Sequence, residues 1–130
     1  MEISILVIEN EFNSIKGAFE AANLFDFDSK LKVKNLDKAQ DINFDELNSY
    51  DVIFLDISLA IKSELDGFGI IQKIKTLNNS NDILSKIVII TGDFEIDKKM
   101  EEKHLNLPIL KKHINFNDIT KMIKQIVKND

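Results

Sequence analysis

The sequence predicts an α/β fold, a doubly wound five-stranded parallel sheet of order 2-1-3-4-5 with helices on both faces. Short apolar runs, typical of strands buried on both faces, alternate along the chain with segments whose apolar residues recur at helical spacing. Most of these runs end on polar residues, which suits parallel strands whose carboxyl ends gather at one edge of a sheet. Since right-handed crossovers join such strands, a three-layer sandwich is expected.

Three of the five strands are predicted by nearly continuous apolar runs, which are Ile3–Ile8, Val52–Leu55 and Ile87–Ile90. In the second strand Leu31, Val33 and Leu36 occur among lysines, so this strand is expected to be half exposed at an edge of the sheet. The fifth strand, Leu107–Leu110, is predicted to be short.

Two helices are predicted on either side of the second strand. The first is capped by Asn13 or Ser14 and has a helical repeat of apolar residues, which are Ile15, Ala18, Phe19 and Ala22. The second helix is short, because Asn43 interrupts its apolar pattern of Ala39, Ile42 and Leu47.

Three further helices are predicted in the second half of the chain. One follows Asp66-Gly67, ends before a turn over 78–82, and has an apolar face of Phe68, Ile71, Ile74 and Leu77. The next runs from about Phe94 to Lys103, with Phe94 and Met100 as its best anchors. The last is capped by Asn115 and has an apolar stripe of Phe116, Ile119, Ile123 and Ile126.

Composition narrows the classes of function. A chain of 130 residues that is 44% hydrophobic predicts a single domain over residues 1–130. The net charge is −5 and the sequence contains no Arg, which disfavours nucleic acid as a ligand. Without Cys there is no thiolate nucleophile or Cys metal site. The acidic start and an apolar run that stops at Ile8 predict neither a signal peptide nor a membrane span, so a cytoplasmic protein is expected.

Asp56 is the main candidate for chemistry. It ends the third predicted strand, at the edge where ligands bind in open α/β sheets, although an Asp there could also simply begin a turn. In the predicted strand order, strand one lies beside strand three, so the polar residues that follow strand one, which are Glu9, Asn10 and Glu11, would converge with Asp56 on one crevice. Crowded acids repel each other unless a cation joins them, and oxygen ligands of this kind suit Mg²⁺.

Two other strands contribute polar residues at the same edge. Thr91 follows strand four, and Lys111 or Lys112 follows strand five. An Asp, a metal ion, a hydroxyl and a Lys are the groups needed to transfer a phosphoryl group to a carboxylate. The Asp would be the nucleophile, the metal and the Lys would neutralise the phosphoryl oxygens, and the Thr would donate a hydrogen bond.

Over essentially its whole length the chain resembles the receiver domain of two-component response regulators, which has a flavodoxin-like fold. The motifs that carry the resemblance, besides the Lys after strand five, are Ile5-Leu6-Val7-Ile8-Glu9-Asn10-Glu11, Asp51-Val52-Ile53-Phe54-Leu55-Asp56, Asp66-Gly67-Phe68 and Ile89-Ile90-Thr91-Gly92. The resemblance implies a phosphoacceptor that receives its phosphoryl group from a histidine kinase or phosphotransfer protein and signals to a downstream protein, which the sequence does not identify.

The resemblance also assigns roles to single residues. Asp56 is the implied phosphoacceptor, Glu9 and Asn10 hold the acidic-pair positions that bind Mg²⁺ with it, and Thr91 is the switch hydroxyl. The family has apolar residues four and seven positions after its Lys. Counting from Lys112 places Phe116 and Ile119 there, whereas counting from Lys111 places Asn115 and Asp118, so the resemblance implies Lys112 as the family's Lys.

The chain departs from the family at several positions of the predicted site. Asn10 replaces the second acid, the one that contacts the metal directly in the family, and His113 replaces the Pro after the Lys. Ten positions separate Asp56 from Asp66, where seven are usual, so the loop 57–65 carries about three extra residues. These departures affect the expected metal affinity and phosphorylation rate.

The sequence is therefore compatible with three functions. The first is a phosphoacceptor receiver that signals by binding a partner and does not turn over a separate substrate. The second is a pseudo-receiver, a protein-interaction module in which Asn10 has disabled phosphorylation. The third, an enzyme on a similar fold, is disfavoured because strand one is followed by no Gly-rich phosphate loop and lacks the Asp-x-Asp spacing of aspartyl phosphatases.

Overall fold

The computed structural model describes residues 2–59 and 62–128. Its five strands form an all-parallel sheet of order β2-β1-β3-β4-β5. They are β1 (Ile3–Ile8), β2 (Leu31–Leu36), β3 (Val52–Asp56), β4 (Ile87–Thr91) and β5 (Ile109–Lys111). The predicted fold class, strand order and edge position of β2 are confirmed.

Helices cover both faces of the sheet. On one face lie α1 (Lys16–Asp26) and α5 (Phe116–Lys128). On the other lie α2 (Gly67–Lys75), α3 (Ser80–Leu84), α4 (Ile96–Glu102) and two 3-10 turns, Ala39–Asp41 and Phe44–Ser49.

Alternate side chains of the central strands feed two apolar cores. In β3, Phe54 points to the α1 and α5 face, where its ring meets Phe19 of α1 edge to face at 5.1 Å between centroids. Its neighbours Ile53 and Leu55 point to the opposite face. All five residues of β3 are buried, as expected of a strand covered by helices on both sides.

Strand pairing aligns the ends of β1 and β3. Ile8, the last residue of β1, pairs with Leu36 of β2 on one side and with Leu55 of β3 on the other. Glu9 follows Ile8 and Asp56 follows Leu55, so these two acids lie side by side at the carboxyl edge of the sheet.

Two predictions about the helices in the first half of the chain are wrong, one about the type of helix and one about a helix cap. Between β2 and β3 the chain forms 3-10 turns, because the Asn43 side chain accepts a hydrogen bond from the Asp45 N–H and starts a new turn there. The apolar residues of this segment are nonetheless buried, namely Ala39, Ile42 and Leu47. In α1 neither Asn13 nor Ser14 is the cap, since both lie in a preceding 3-10 turn and Ile15 holds the N-cap position.

The α4 region also differs from its prediction. Phe94 is 95% exposed, and Ile96 is the residue that packs with Met100 in the core. The predicted turn over 78–82 instead includes the start of α3. Leu107 lies before β5, which begins at Ile109.

The last helix agrees closely with its prediction. The Asn115 side chain accepts a hydrogen bond from the Asp118 N–H at 2.9 Å, which is the predicted cap. Ile119, Ile123 and Ile126 are buried against the sheet.

Among residues 2–59 and 62–128, the structure contains no helix with the length and apolar character needed to cross a lipid bilayer.

Gly67 lets α2 start directly against the end of β3. A Cβ atom there would lie 2.6 Å from the Asp56 carbonyl oxygen and 2.6 Å from the Ile57 Cα. The Gly67 N–H donates to the Ile57 carbonyl at 3.0 Å, so the close approach is part of the hydrogen bonding that joins strand and helix.

We expect Gly67→Ala to lower the free energy of unfolding by about 2 to 3 kcal/mol, because backbone atoms must move to admit the methyl group. Gly17→Ala is the matched control. Its Cβ meets nothing within 4 Å and it lies in α1, so it should stabilise the protein by roughly 0.5 kcal/mol. Urea unfolding of both variants measures the difference. Equal stabilities would contradict the tight packing at Gly67.

Candidate functional site

The candidate site is a crevice at the carboxyl edge of β1 and β3. Glu9 is fully buried and Asp56 is only 2% exposed. The Glu9 N–H donates to the Leu36 carbonyl at 3.0 Å, which extends the β1–β2 pairing by one residue and fixes the start of the loop. Two carboxylates from adjacent strands thus share one buried edge.

Asn35 holds the end of β1 in place from the neighbouring strand. Its side-chain amide donates to the Val7 carbonyl at 3.0 Å and to the Glu9 carbonyl at 2.9 Å. Sequence reasoning did not single out this residue. The feature of the sequence that could have indicated its role is that Asn35 is an amide in an edge strand made otherwise of lysines and apolar residues.

Lys112 lies between the two carboxylates. Its Nζ is 2.9 Å from Glu9 Oε2 and 3.6 Å from Asp56 Oδ2, and its side chain is 21% exposed. Its backbone N–H donates to the Thr91 carbonyl at 2.8 Å, which ties the start of the β5–α5 loop to β4. Lys111 instead forms an exposed ion pair with Asp97 at 3.1 Å, so the structure places Lys112 in the crevice.

The environment of Asp56 opposes its charge. Several effects together raise the pKa of Asp56 to about 7, and burial is the largest of them. The Glu9 carboxylate also raises the pKa, whereas the hydrogen bond that Oδ1 accepts from the Ser58 N–H and the Lys112 ammonium lower it. Near neutral pH Asp56 therefore exchanges between its protonated and ionised forms.

The environment of Lys112 favours its charge. Burial alone would lower its pKa, but the close ion pair with Glu9 and the attraction of Asp56 outweigh this effect and leave the pKa above its usual value. The ammonium group therefore stays charged and is the cation that offsets the two acids.

One carboxylate oxygen remains without a well-directed hydrogen bond. Glu9 Oε1 accepts from the Glu11 N–H at 2.9 Å, whereas the buried Oε2 has only the close charge of Lys112 among the described residues. This oxygen and the Asp56 carboxylate fit a hard cation such as Mg²⁺, which takes oxygen ligands. No group of three acidic or histidine side chains suited to a metal occurs among the residues described, so further ligands would be amide, water or phosphoryl oxygens.

Thr91 ends β4 at the same edge and is fully buried. Its hydroxyl oxygen accepts a hydrogen bond from the Asp93 N–H at 3.0 Å. The Asp93 carboxylate in turn accepts from the Glu95 N–H and pairs with Lys99 of α4, and the bond to Lys99 lowers the pKa of Asp93. Thr91 is thereby linked to the loop that leads into α4.

Asn10 directly follows Glu9 after the end of β1. It is half-buried and lines a surface cavity with Asp37, Lys38 and Lys62. In the described part of the chain its side chain forms no hydrogen bond with the carboxylates of the site. The structure thus brings Glu9, Asp56 and Lys112 into contact and sets Thr91 on the adjoining strand, while Asn10 faces a different cavity.

Similarity to known proteins is clear at the level of structure. No family model matches the sequence, and no curated protein matches it. Among solved structures, the signal receiver domain of the DNA-binding response regulator merR from Colwellia psychrerythraea 34H is 26% identical, with a TM-score of 0.70 over 98% of this chain and 99% of that one.

Two other response regulators illustrate the range of similarity. The bacteriophytochrome response regulator RtBRR is 18% identical, with a TM-score of 0.72 over 97% of this chain and 78% of that one. The phosphorylated cyanobacterial phytochrome response regulator RcpA is 17% identical, with a TM-score of 0.67 over 97% of this chain and 91% of that one. Taken with the 2-1-3-4-5 sheet, these likenesses show that the chain has the fold of response regulator receiver domains.

Proposed function

We propose that this receiver domain is phosphorylated on Asp56 by a histidine kinase or phosphotransfer protein and signals by binding a partner in trans. The observation that carries the proposal is the buried Asp56 carboxylate at the end of β3, 3.6 Å from an ammonium group that it shares with Glu9. One of the structures that the chain resembles is that of a phosphorylated response regulator. The domain acts as a signalling module and not as a turnover enzyme.

In the proposed reaction an oxygen of ionised Asp56 attacks the phosphorus atom of the donor. The bond between phosphorus and the donor's leaving group breaks, its electron pair departs with the leaving group, and an acyl phosphate forms on Asp56. Because the pKa of Asp56 is about 7, a nearby positive charge increases the fraction that is ionised and nucleophilic.

Mg²⁺, when bound, would add positive charge beside the transferred phosphoryl group. Glu9 and Asp56 would hold it, with Asn10 as a proposed third ligand through its amide oxygen. Lys112 remains charged throughout and can move from the carboxylates to a phosphoryl oxygen, since its side chain is only partly buried.

Thr91 has a hydrogen to donate in the proposed phosphorylated state. Its oxygen accepts from the Asp93 N–H, so the hydroxyl hydrogen is available for a phosphoryl oxygen. Such a bond would connect the state of Asp56 with the loop before α4, where Phe94 is exposed to a partner.

A second candidate function is the pseudo-receiver, a module that binds partners without being phosphorylated. It is favoured by a neutral Asn10 at an acidic-pair position and by the absence, within the described residues, of a hydrogen bond from its side chain to the site. Phosphorylation of Asp56 separates the two functions.

Incubation with Mg²⁺ and acetyl phosphate should add one phosphoryl group to the wild-type protein, because Asp56 is a nucleophile within reach of Lys112. Intact-mass spectrometry should show the gain, and hydroxylamine should remove it, as expected of an acyl phosphate. Asp56→Asn should abolish the gain.

Asp66→Asn is the matched control for this substitution. Asp66 caps α2 through its side chain, and Asn caps equally well, so phosphorylation should persist. A phosphoryl label that survives Asp56→Asn would exclude Asp56 as the acceptor, and a wild-type protein that takes up no label would favour the pseudo-receiver.

Lys112→Ala should slow phosphorylation by about tenfold or more. An ammonium about 4 Å from a phosphoryl oxygen attracts it by about 4 kcal/mol at an effective dielectric near 20, most of which desolvation offsets. Lys111→Ala removes only the exposed pair with Asp97 and should change the rate less than about twofold. Rates of mass gain at saturating donor provide the comparison, and an equal loss in both variants would contradict the assignment of Lys112.

Asn10→Asp should tighten Mg²⁺ binding by about one to two decades, which corresponds to roughly 1.4 to 2.8 kcal/mol. The same change adds a third acid to the edge, so the melting temperature measured in chelator should fall. Calorimetric Mg²⁺ titration of both proteins tests the affinity. Equal affinities would mean that position 10 does not contact the metal.

A further inference from the structure

The cavity beside Asn10 carries a net positive charge. Its volume is about 350 Å³, and two ammonium groups and one carboxylate line it together with the amide of Asn10; these are Lys38, Lys62 and Asp37. Neither lysine forms an ion pair with an acidic side chain among residues 2–59 and 62–128. Such a cavity attracts anions.

Strand pairing sets the position of Lys38. β2 ends at Leu36, whose carbonyl accepts from the Glu9 N–H at 3.0 Å, and Asn35 donates to the Glu9 carbonyl at 2.9 Å. The residues that follow β2 therefore lie beside those that follow β1. Lys38 therefore lies beside Asn10, which is the residue that follows the buried Glu9.

The long loop after β3 sets the position of Lys62. The Gln40 side chain donates to the Lys62 carbonyl at 2.7 Å and accepts from the Glu64 N–H at 2.9 Å. The Ser63 hydroxyl accepts from the Ala39 N–H at 2.8 Å. Three hydrogen bonds thus fasten the loop to the turn that contains Gln40 and bring the second lysine to the cavity.

The neutral side chain at position 10 matters for what this cavity can bind. An acid there would cancel the net positive charge and favour a cation, whereas Asn leaves the two ammonium groups in excess and can itself donate hydrogen bonds from its amide. A dianion with several acceptor oxygens, such as a phosphate group, matches this set of donors.

We propose that the cavity lined by Asn10, Lys38 and Lys62 is a phosphate subsite that binds the phosphoryl group of an incoming donor next to Glu9, at the β1 end of the crevice. Its role in phosphorylation rests on the proposed function, but the binding of phosphate does not. In this chain the two lysines supply part of the positive charge that a second acid would otherwise recruit through Mg²⁺.

Titration with inorganic phosphate in chelator tests the subsite without any phosphorylation. At low ionic strength, phosphate should shift the backbone amide NMR signals of Asn10, Lys38 and Lys62 in the wild-type protein. The double variant Lys38→Gln/Lys62→Gln should bind about tenfold more weakly, since two charges near the anion are lost.

Lys75→Gln is the control, because Lys75 ends α2 at the opposite edge of the sheet and is exposed. It removes the same kind of charge and should change the affinity less than about twofold. The subsite is refuted if these three amides do not shift, if the double variant binds as tightly as wild type, or if Lys75→Gln weakens binding equally.

The rate of phosphorylation by acetyl phosphate at limiting Mg²⁺ gives a second readout. The double variant should be slowed about tenfold, and added Mg²⁺ should reduce the difference because the metal supplies the same kind of charge. If the wild-type protein takes up no phosphoryl group at all, the proposed function fails, while the phosphate titration still decides the subsite.

Discussion

Two buried carboxylates in one crevice are held together by one ammonium group, and the arrangement of the sheet edge depends on this interaction. Glu9 and Asp56 repel each other in a place with little water, and the Lys112 ammonium lies 2.9 Å from one and 3.6 Å from the other. The conflict is only partly relieved, since the pKa of Asp56 remains near 7. An additional cation near Asp56 would stabilise its ionised carboxylate. The arrangement of charges at the carboxyl edge of the sheet therefore favours the binding of Mg²⁺ that the proposed phosphorylation uses.

The sheet was predictable from the sequence because its central strands are buried on both faces. Continuous apolar runs such as Val52–Leu55 have few alternative structures, and the lysines around Val33 marked β2 as an edge. Local predictions failed where tertiary contacts decide. Phe94 fits a helix face by spacing, yet the structure leaves it exposed and buries Ile96 instead. The segment with Asn43 has a helical pattern of burial but a backbone of 3-10 turns.

Of the candidate site, the sequence predicted the residues at the ends of the strands but not the hydrogen bonds that surround them. The sequence and the family pattern pointed to Glu9, Asp56 and Lys112, and the structure brings these three into contact. The distinction between Lys112 and Lys111 depended on counting to the helix beyond. Side-chain hydrogen bonds between distant segments produce no periodic pattern in a sequence, and the bonds of Asn35 to β1 and of Gln40 to the long loop were not predicted. They nevertheless determine what surrounds Asn10.

The most direct test of the account is the ionisation of Asp56 itself. Carbon-detected NMR can follow its side-chain carboxyl carbon as a function of pH, with Asp56→Asn used to assign the signal. In chelator the apparent pKa should be near 7, and saturating Mg²⁺ should lower it by at least about two units as the metal favours the ionised form. A pKa near 4 that Mg²⁺ does not change would contradict the claim that burial and the Glu9 carboxylate raise the pKa of Asp56 and that a bound cation lowers it.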